Sequence, residues 1–365
     1  MDALPEAYVS SLEGLGINRA TAFGLLVADA ASGLPDKVVD RSAADLFAAL
    51  QQPGPVPSIA SDSFAALVLD GVLELETADG FVNGPMAYEA GLACDELPPP
   101  EPRDRLSRLS LDALAYAERL RLSDVNSLTA RLYCSYRVPL SRRWACAYPD
   151  PGAVLELMPK RTLSRHWFGP VVDESRDWIS WGRRDERLKS RSADFPYKLY
   201  VSPDIEAVPE VLCPLVDTMT DAGVAQFKIG ADATGLLRPD KIVVYLGSAE
   251  ELATVAGAVG TTLAGVAPHG VPFSAELGGD GLLSWGGDPP SGAGPVGAAR
   301  ESWRVSVCRR LAESLLRAQA APLRRTRPAS FALARLALDG VDVRSFAPAT
   351  LDPPPAGDPM ATASR

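Results

Sequence analysis

The stretch AQFKIGADATGLLRPDKIVVYL (225–246) decides the fold. Its two ends alternate apolar and polar residues, the pattern of strands with one face buried. In the first, Phe227 and Ile229 share a side and Lys228 takes the other. In the second, Ile242 and Val244 share a side, with Lys241, Val243 and Tyr245 opposite. KLYVSP (198–203) reads the same way and ends at Ser-Pro. Tyr197, Leu199 and Val201 form one face there, Lys198 and Tyr200 the other. LLRPD places Arg238 just before the third strand. Three such strands side by side gather Lys198, Tyr200, Lys228, Arg238, Lys241 and Tyr245 on one side of a sheet. By spacing alone this is a solvated face, the usual place for alternating lysines.

Working outward, 249–264 reads as a helix with Leu252, Val255, Val259 and Leu263 at helical spacing. VPFSAEL (271–277) is a candidate strand. GGDGLLSWGGDPPSGAGPVG (278–297) reads as a long Gly/Pro-rich loop. An amphipathic helix follows over 300–319, with Trp303, Val307, Leu311 and Leu315 on one stripe. Residues 346–365 read as a disordered tail. Upstream, TARLYCSYRVPLSRRWACAYP (129–149) is expected to become a strand near its end. A helix is expected over 110–122, with Ser110 as cap and Leu111, Leu114, Ala117 and Leu120 as a stripe. From 153 onward the pattern is short strands and turns with few helices.

The first 96 residues read as a separate unit. Helical patterns cover 18–31 and 43–51, the second capped by Ser42. VLELETADGFVNG (72–84) alternates on both sides of Asp79-Gly80, a hairpin signal. Such a unit suits a winged-helix-like or peptide-docking module, or equally an accessory cap. LPPPEPRD (97–104) reads as a linker, since consecutive prolines favour extended geometry. The fold class is therefore α+β. A small acidic helix-plus-hairpin module precedes a larger mixed domain with a central sheet, 105–345.

Charge follows the same division. The chain has 365 residues and a formal net charge of −10. Residues 1–104 hold 4 Lys+Arg against 17 Asp+Glu, a net of −13; the remaining 261 hold 32 against 29, a net of +3. The front acidity argues against nucleic-acid binding there, because phosphates are repelled. An anionic substrate belongs after the linker. Five cysteines with no CxxC pair, and only two histidines, argue against a disulfide scaffold and against a multi-histidine metal site. The expected set is thus no metal and no cofactor. Without a basic, apolar leader or a long apolar run, the expected place is the cytoplasm, with no membrane contact. GxxxxGK[ST], GxGxxG after a strand, GxSxG and HExxH are all missing, which argues against a kinase, dehydrogenase, α/β-hydrolase or zincin.

The ordered run KLYVSP…FKIGADATGLLRPDKIVVYL…HGVPFSAELGGDGLLSWGGDPP…ESWRVSVCRRLAESL, within about 130–320, resembles the HopA-type effector-like family. That family includes type III effectors and the lyase component of class V lanthipeptide and thioamitide synthetases. The resemblance implies a lyase-like domain. It would remove phosphate from a Ser or Thr that a partner kinase has phosphorylated in a precursor peptide. The product is dehydroalanine or dehydrobutyrine. The implied partners are an aminoglycoside-phosphotransferase-like kinase and the peptide. Under this reading Lys228 or Lys198 is the base, since a lysine depressed by burial or neighbouring charge can take the Cα proton. Arg238 binds phosphate with Lys241 assisting, and Arg165 is a further candidate. Tyr200 or His269 gives the proton to the leaving oxygen. His269 as an ordinary loop residue is an equal alternative. Rival readings are a non-catalytic scaffold for the leader peptide, the cyclase of the same pathway, and an effector acting on host proteins.

Overall fold

The computed structural model describes residues 23–26, 37–40, 61–92, 101–174, 177–184, 195–288, 301–349 and 351. The chain divides into two units, Met1–Leu92 and Ala93–Arg365. In the first, β1 (Phe23–Leu26) pairs antiparallel with β2 (Lys37–Asp40). This corrects the helix expected over 18–31. Gly24 and Leu25 sit opposite the β-branched pair Val39 and Val38, a combination that weakens a helix and suits a strand. The helix expected over 43–51 lies outside the described residues. A helix not foreseen, α1 (Ser61–Leu69), precedes the expected hairpin, β3 (Leu75–Thr77) and β4 (Gly80–Val82). Leu75 pairs with Val82, and both pack on Val68 and Ala87.

The second unit is built on one antiparallel sheet. Its strands are β5 (Trp167–Val172), β6 (Trp178–Arg183), β7 (Tyr197–Val201), β8 (Gln226–Gly230), β9 (Ile242–Leu246), β10 (Ala275–Leu277) and β11 (Leu283–Gly287). They lie in the order β10-β11-β7-β9-β8-β6-β5. The expected α+β class and central sheet are present. The loop expected over 278–297 instead contains β11, which places Trp285 opposite Leu199 and Ala275. Apolar Leu283 and Trp285 alternate with Ser284 and Gly286, and this alternation outweighs the flanking glycines.

Two helical layers cover the sheet. One face carries Leu199, Phe227, Ile229, Ile242 and Val244, buried beneath α5 (Val208–Asp221) and α6 (Ala249–Thr262). α5 was not foreseen, because Pro209 and Pro214 obscure its pattern. Yet Val208, Val211, Leu212, Leu215, Val216 and Met219 recur at helical spacing and all are buried. Joining this layer is α4 (Lys160–His166). On the other side α2 (Arg105–Glu118), α3 (Val125–Tyr133), α7 (Trp303–Ala320) and α8 (Pro328–Leu338) form a second core around Leu114, Leu132, Val307, Leu311 and Phe331's neighbour Ala332. α2 starts earlier than expected: Asp104 caps it through Ser107 N, while Ser110 is buried inside and bonds the Leu106 carbonyl. The strand expected near 149 is absent, and short helices Arg142–Ala147 and Pro151–Leu155 occupy that stretch. The first residues of the expected tail are ordered: Phe346 is buried, and Ala347–Pro348 pairs with Val341–Asp342. Among the described residues, no helix is long and apolar enough to cross a membrane.

One backbone crossing aims the segment that holds Arg238. Gly230 ends β8, and a Cβ built there meets the Gly235 carbonyl carbon at 2.3 Å. No side chain could yield to relieve that contact, since the obstruction is backbone. Gly230→Ala should therefore lower stability by about 1–3 kcal/mol, as an overpacked core position does. The denaturant midpoint measures it.

Candidate functional site

Strand register brings the polar face together. Lys198 pairs with Tyr245 and Gly286; Tyr200 pairs with Val243 and Ser284; Lys228 pairs with Val243 and Ser180. Lys198, Tyr200, Lys228 and Tyr245 thus share one face, as their alternation in sequence implies. The face is not solvated. Tyr200, Val243 and Val271 are buried on it, with Trp178 and Tyr245 packed alongside. The helical layer above covers it because Gly286 accepts the Trp303 ring at close range; a Cβ there would lie 2.3 Å from the ring.

Lys228 projects into this covered face. Its Nζ lies 4.0 Å from the Trp178 ring centroid and 5.9 Å from that of Tyr245. Among the described residues it has no hydrogen-bond partner. Burial, then the positive charges of Lys198 and Arg238, push its pKa down to about 8, against weaker support from Asp240 and Asp173. At pH 7 that leaves roughly a tenth of Lys228 as neutral amine, against well under a thousandth for an ordinary lysine. Lys198 differs in its environment: its Nζ lies 2.6 Å from Asp288 Oδ2 and 5.4 Å from the Tyr245 ring. Asp288 Oδ1 also accepts from Trp303 N at 2.9 Å, so one carboxylate ties a lysine to the start of α7.

Arg238 packs its guanidinium 4.6 Å from the Trp178 ring. Its Nε donates to Asp240 Oδ1 at 3.0 Å and its Nη2 to Asp240 Oδ2 at 3.3 Å and to the Tyr133 hydroxyl. That hydroxyl donates to Asp240 Oδ2 at 2.8 Å. Arg304, from α7, reaches Asp240 Oδ2 with Nη1 at 2.9 Å. Burial disfavours the Asp240 carboxylate, but Arg304 and Arg238 outweigh it and hold its pKa well below the usual range. The phenols of Tyr200 and Tyr245 are held above their ordinary value, chiefly by burial, so both stay protonated and able to donate.

Lys241 and His269 form a separate pair. Lys241 is fully buried, and its Nζ donates to the Pro203 carbonyl at 2.9 Å and meets His269 Nδ1 at 2.8 Å. His269 Nε2 lies 2.6 Å from the Tyr136 carbonyl, which can only accept. The proton therefore sits on Nε2, and Nδ1 accepts from Lys241. Burial, then Lys241, push the His269 pKa down to about 4. Both residues thus find hydrogen-bond partners in each other and in the Pro203 and Tyr136 carbonyls. Arg165 is not brought in: it is exposed on α4, in the layer behind the opposite face of the sheet.

Trp178, Tyr133, Asp240, Asp288 and Arg304 complete the site and were not picked out from sequence. Asp240 had a signal, two residues beyond Arg238. Trp178 had a weaker one, since Trp178 and Ser180 alternate with Ile179 and Trp181. Nothing local marks Asp288 or Arg304. The site can hold an anion at Arg238 and Lys198, with an amine base and two phenols nearby. Among the described residues no cluster of His, Cys, Asp and Glu could hold a metal ion.

No family model and no curated protein matches the chain. Several solved structures overlap it. The effector protein from Pseudomonas syringae pv. syringae strain 61 is 13% identical with a TM-score of 0.41, over 66% of this chain and 98% of that one. The Shigella flexneri type III effector and phosphothreonine lyase OspF is 16% identical with a TM-score of 0.29, over 35% and 76%. The Chromobacterium violaceum phosphothreonine lyase effector VirA is 13% identical with a TM-score of 0.28, over 48% and 86%.

Burial also pushes the Lys241 pKa down to about 7, from the ordinary 10.5. Between those values the unfolded chain binds a proton that the folded chain does not. Stability should therefore rise with pH from about 7 toward 10.5 through this group. In Lys241→Met that rise should be smaller, although the depressed Lys228 preserves part of it. Urea midpoints measured from pH 6.5 upward test the difference.

Proposed function

We propose that the covered face is the active site of a lyase that eliminates phosphate from phosphothreonine or phosphoserine. One observation carries this reading: a lysine with a pKa near 8 and no hydrogen-bond partner lies beside an arginine and a second lysine that is ion-paired with a carboxylate. β-Elimination needs those two parts, a neutral base for the weakly acidic Cα proton and cations for the departing phosphate.

In this reading Lys228 Nζ takes the Cα proton. The electron pair of that C–H bond becomes the Cα–Cβ double bond, and the Cβ–O bond breaks with its electrons leaving on phosphate. Arg238 and Lys198 offset the phosphate charge, and Arg238 does so with a planar fork suited to two oxygens. Tyr200 supplies a proton to the leaving oxygen. The products are dehydrobutyrine or dehydroalanine and inorganic phosphate. Lys228 is assigned as base over Lys198 because Asp288 holds the Lys198 ammonium. Trp178 and Tyr245 wall off water around the base.

The substrate reaches such a site already phosphorylated. The chain has no GxxxxGK[ST] loop, so the reading assigns phosphorylation to a separate kinase, of the aminoglycoside-phosphotransferase-like kind, and the substrate to a ribosomal precursor peptide. The pathway is of the lanthipeptide type. The acidic first unit, net −13 to residue 104, then suits docking of a basic peptide segment or the kinase.

The test is mass spectrometry of a phosphothreonine peptide incubated with the full chain. The expected product lacks the elements of phosphoric acid. Lys228→Ala should slow its formation by about 10²–10⁴, the usual worth of a general base. Because the base works only when deprotonated, the wild-type rate should climb as pH rises and level off above about 8. Unchanged phosphopeptide with wild-type protein would sink the reading, as would a Lys228→Ala rate equal to wild type.

A further inference from the structure

Arg238 is gripped on two of its three nitrogens. Asp240 receives Nε and Nη2 as a fork, and the Tyr133 hydroxyl receives Nη2 as well. Among the described residues Nη1 makes no hydrogen bond, so that edge is the one left for a ligand. A carboxylate gripping an arginine in this way fixes its plane but also neutralises it, and a neutral pair attracts phosphate poorly. Here the same carboxylate meets a second cation. Arg304 is 1% exposed, and its Nη1 lies 2.9 Å from Asp240 Oδ2. Its other nitrogens donate to the Pro272 and Tyr133 carbonyls at 3.0 Å each. The arrangement therefore sets two guanidinium groups against one carboxylate. Arg304 is buried, and its Nη1 faces Asp240 as an ion pair rather than through a hydrogen bond, so its part is to act through Asp240.

Resting on the reading of Arg238 as a phosphate ligand, we infer that Asp240, Tyr133 and Arg304 are its positioning residues. Asp240 and Tyr133 fix the guanidinium plane, and Arg304 offsets the Asp240 charge so that Arg238 meets phosphate with its own charge intact. The class of ligand is a tetrahedral oxyanion carried by a phosphoamino acid or free in solution. α3 and α7 serve the site through this contact, although neither helix presents a group to the reacting atoms.

Calorimetric titration of the full chain with inorganic phosphate tests this. Wild type is expected to bind, and Arg238→Ala to lose binding. Arg304→Met should weaken binding by about tenfold or more, the scale of one charge-assisted contact, and Arg304→Lys should recover part of the loss. Tyr133→Phe keeps every charge and should weaken binding by about threefold or more through the lost anchor. It decides alone if Arg304→Met does not fold. Folded Arg304→Met or Tyr133→Phe binding phosphate as tightly as wild type overturns the inference, and so does a wild type that binds none. A chain that binds phosphate in this pattern yet leaves a phosphothreonine peptide intact refutes the lyase reading and leaves the positioning roles standing.

Discussion

The row Leu199–Val244–Phe227 is the constraint on which the rest depends. These three apolar side chains lie side by side across β7, β9 and β8, with relative exposures of 0%, 0% and 1%. Side chains alternate along a strand, so a slip of one residue in any of the three would put its apolar set on the wrong face and its lysine or tyrosine in the core. Burial of the row under α5 and α6 forbids the slip. With the register held, Lys198, Tyr200, Lys228 and Tyr245 have no choice but to share the opposite face. The site is in this sense a by-product of hydrophobic burial on the other side of the sheet.

That face then had to be covered for its lysines to become chemically distinct. An exposed lysine stays protonated at neutral pH and serves only as a charge. Trp178 and Tyr245 flank Lys228, and the α7 layer closes over β11 at Gly286. Desolvation disfavours the ammonium of Lys228, and Lys198 adds repulsion. Lys198, a few ångströms across the Tyr245 ring, has Asp288 to hold it as a cation. Two lysines on one face thereby sit in different environments, one paired with a carboxylate and the other set against aromatic rings.

The same contrast separates Arg238 from Lys241, three residues apart on one connection. Arg238 leaves an edge open on the side of Lys228. Lys241 turns into the protein and spends its donors on Pro203 and His269. Alternation along β9 put Lys241 on the face of Val243 and Tyr245, and to that extent the pattern was legible. The strand begins at Ile242, and Lys241, just before it, reaches Pro203 and His269. Arg165 illustrates a different limit: a basic cluster in sequence carried no information on which layer its helix would join.

Sequence by itself located strands within 198–203, 225–230 and 241–246, the helices over 249–264 and 300–319, the hairpin around Asp79-Gly80, and which polar residues oppose which apolar ones. Each rests on short-range periodicity, and periodicity is local. The β11 strand inside a glycine-rich stretch and α5 across two prolines escaped, because tertiary burial overrode their local composition. Whether the lysine face was wet or covered could only be decided by where α3 and α7 pack. Asp240 and Arg304 are 64 residues apart, and Lys198 and Asp288 are 90 apart. Charge pairing across such separations has no periodic signature, since it arises only once the layers have closed and removed water from between the partners.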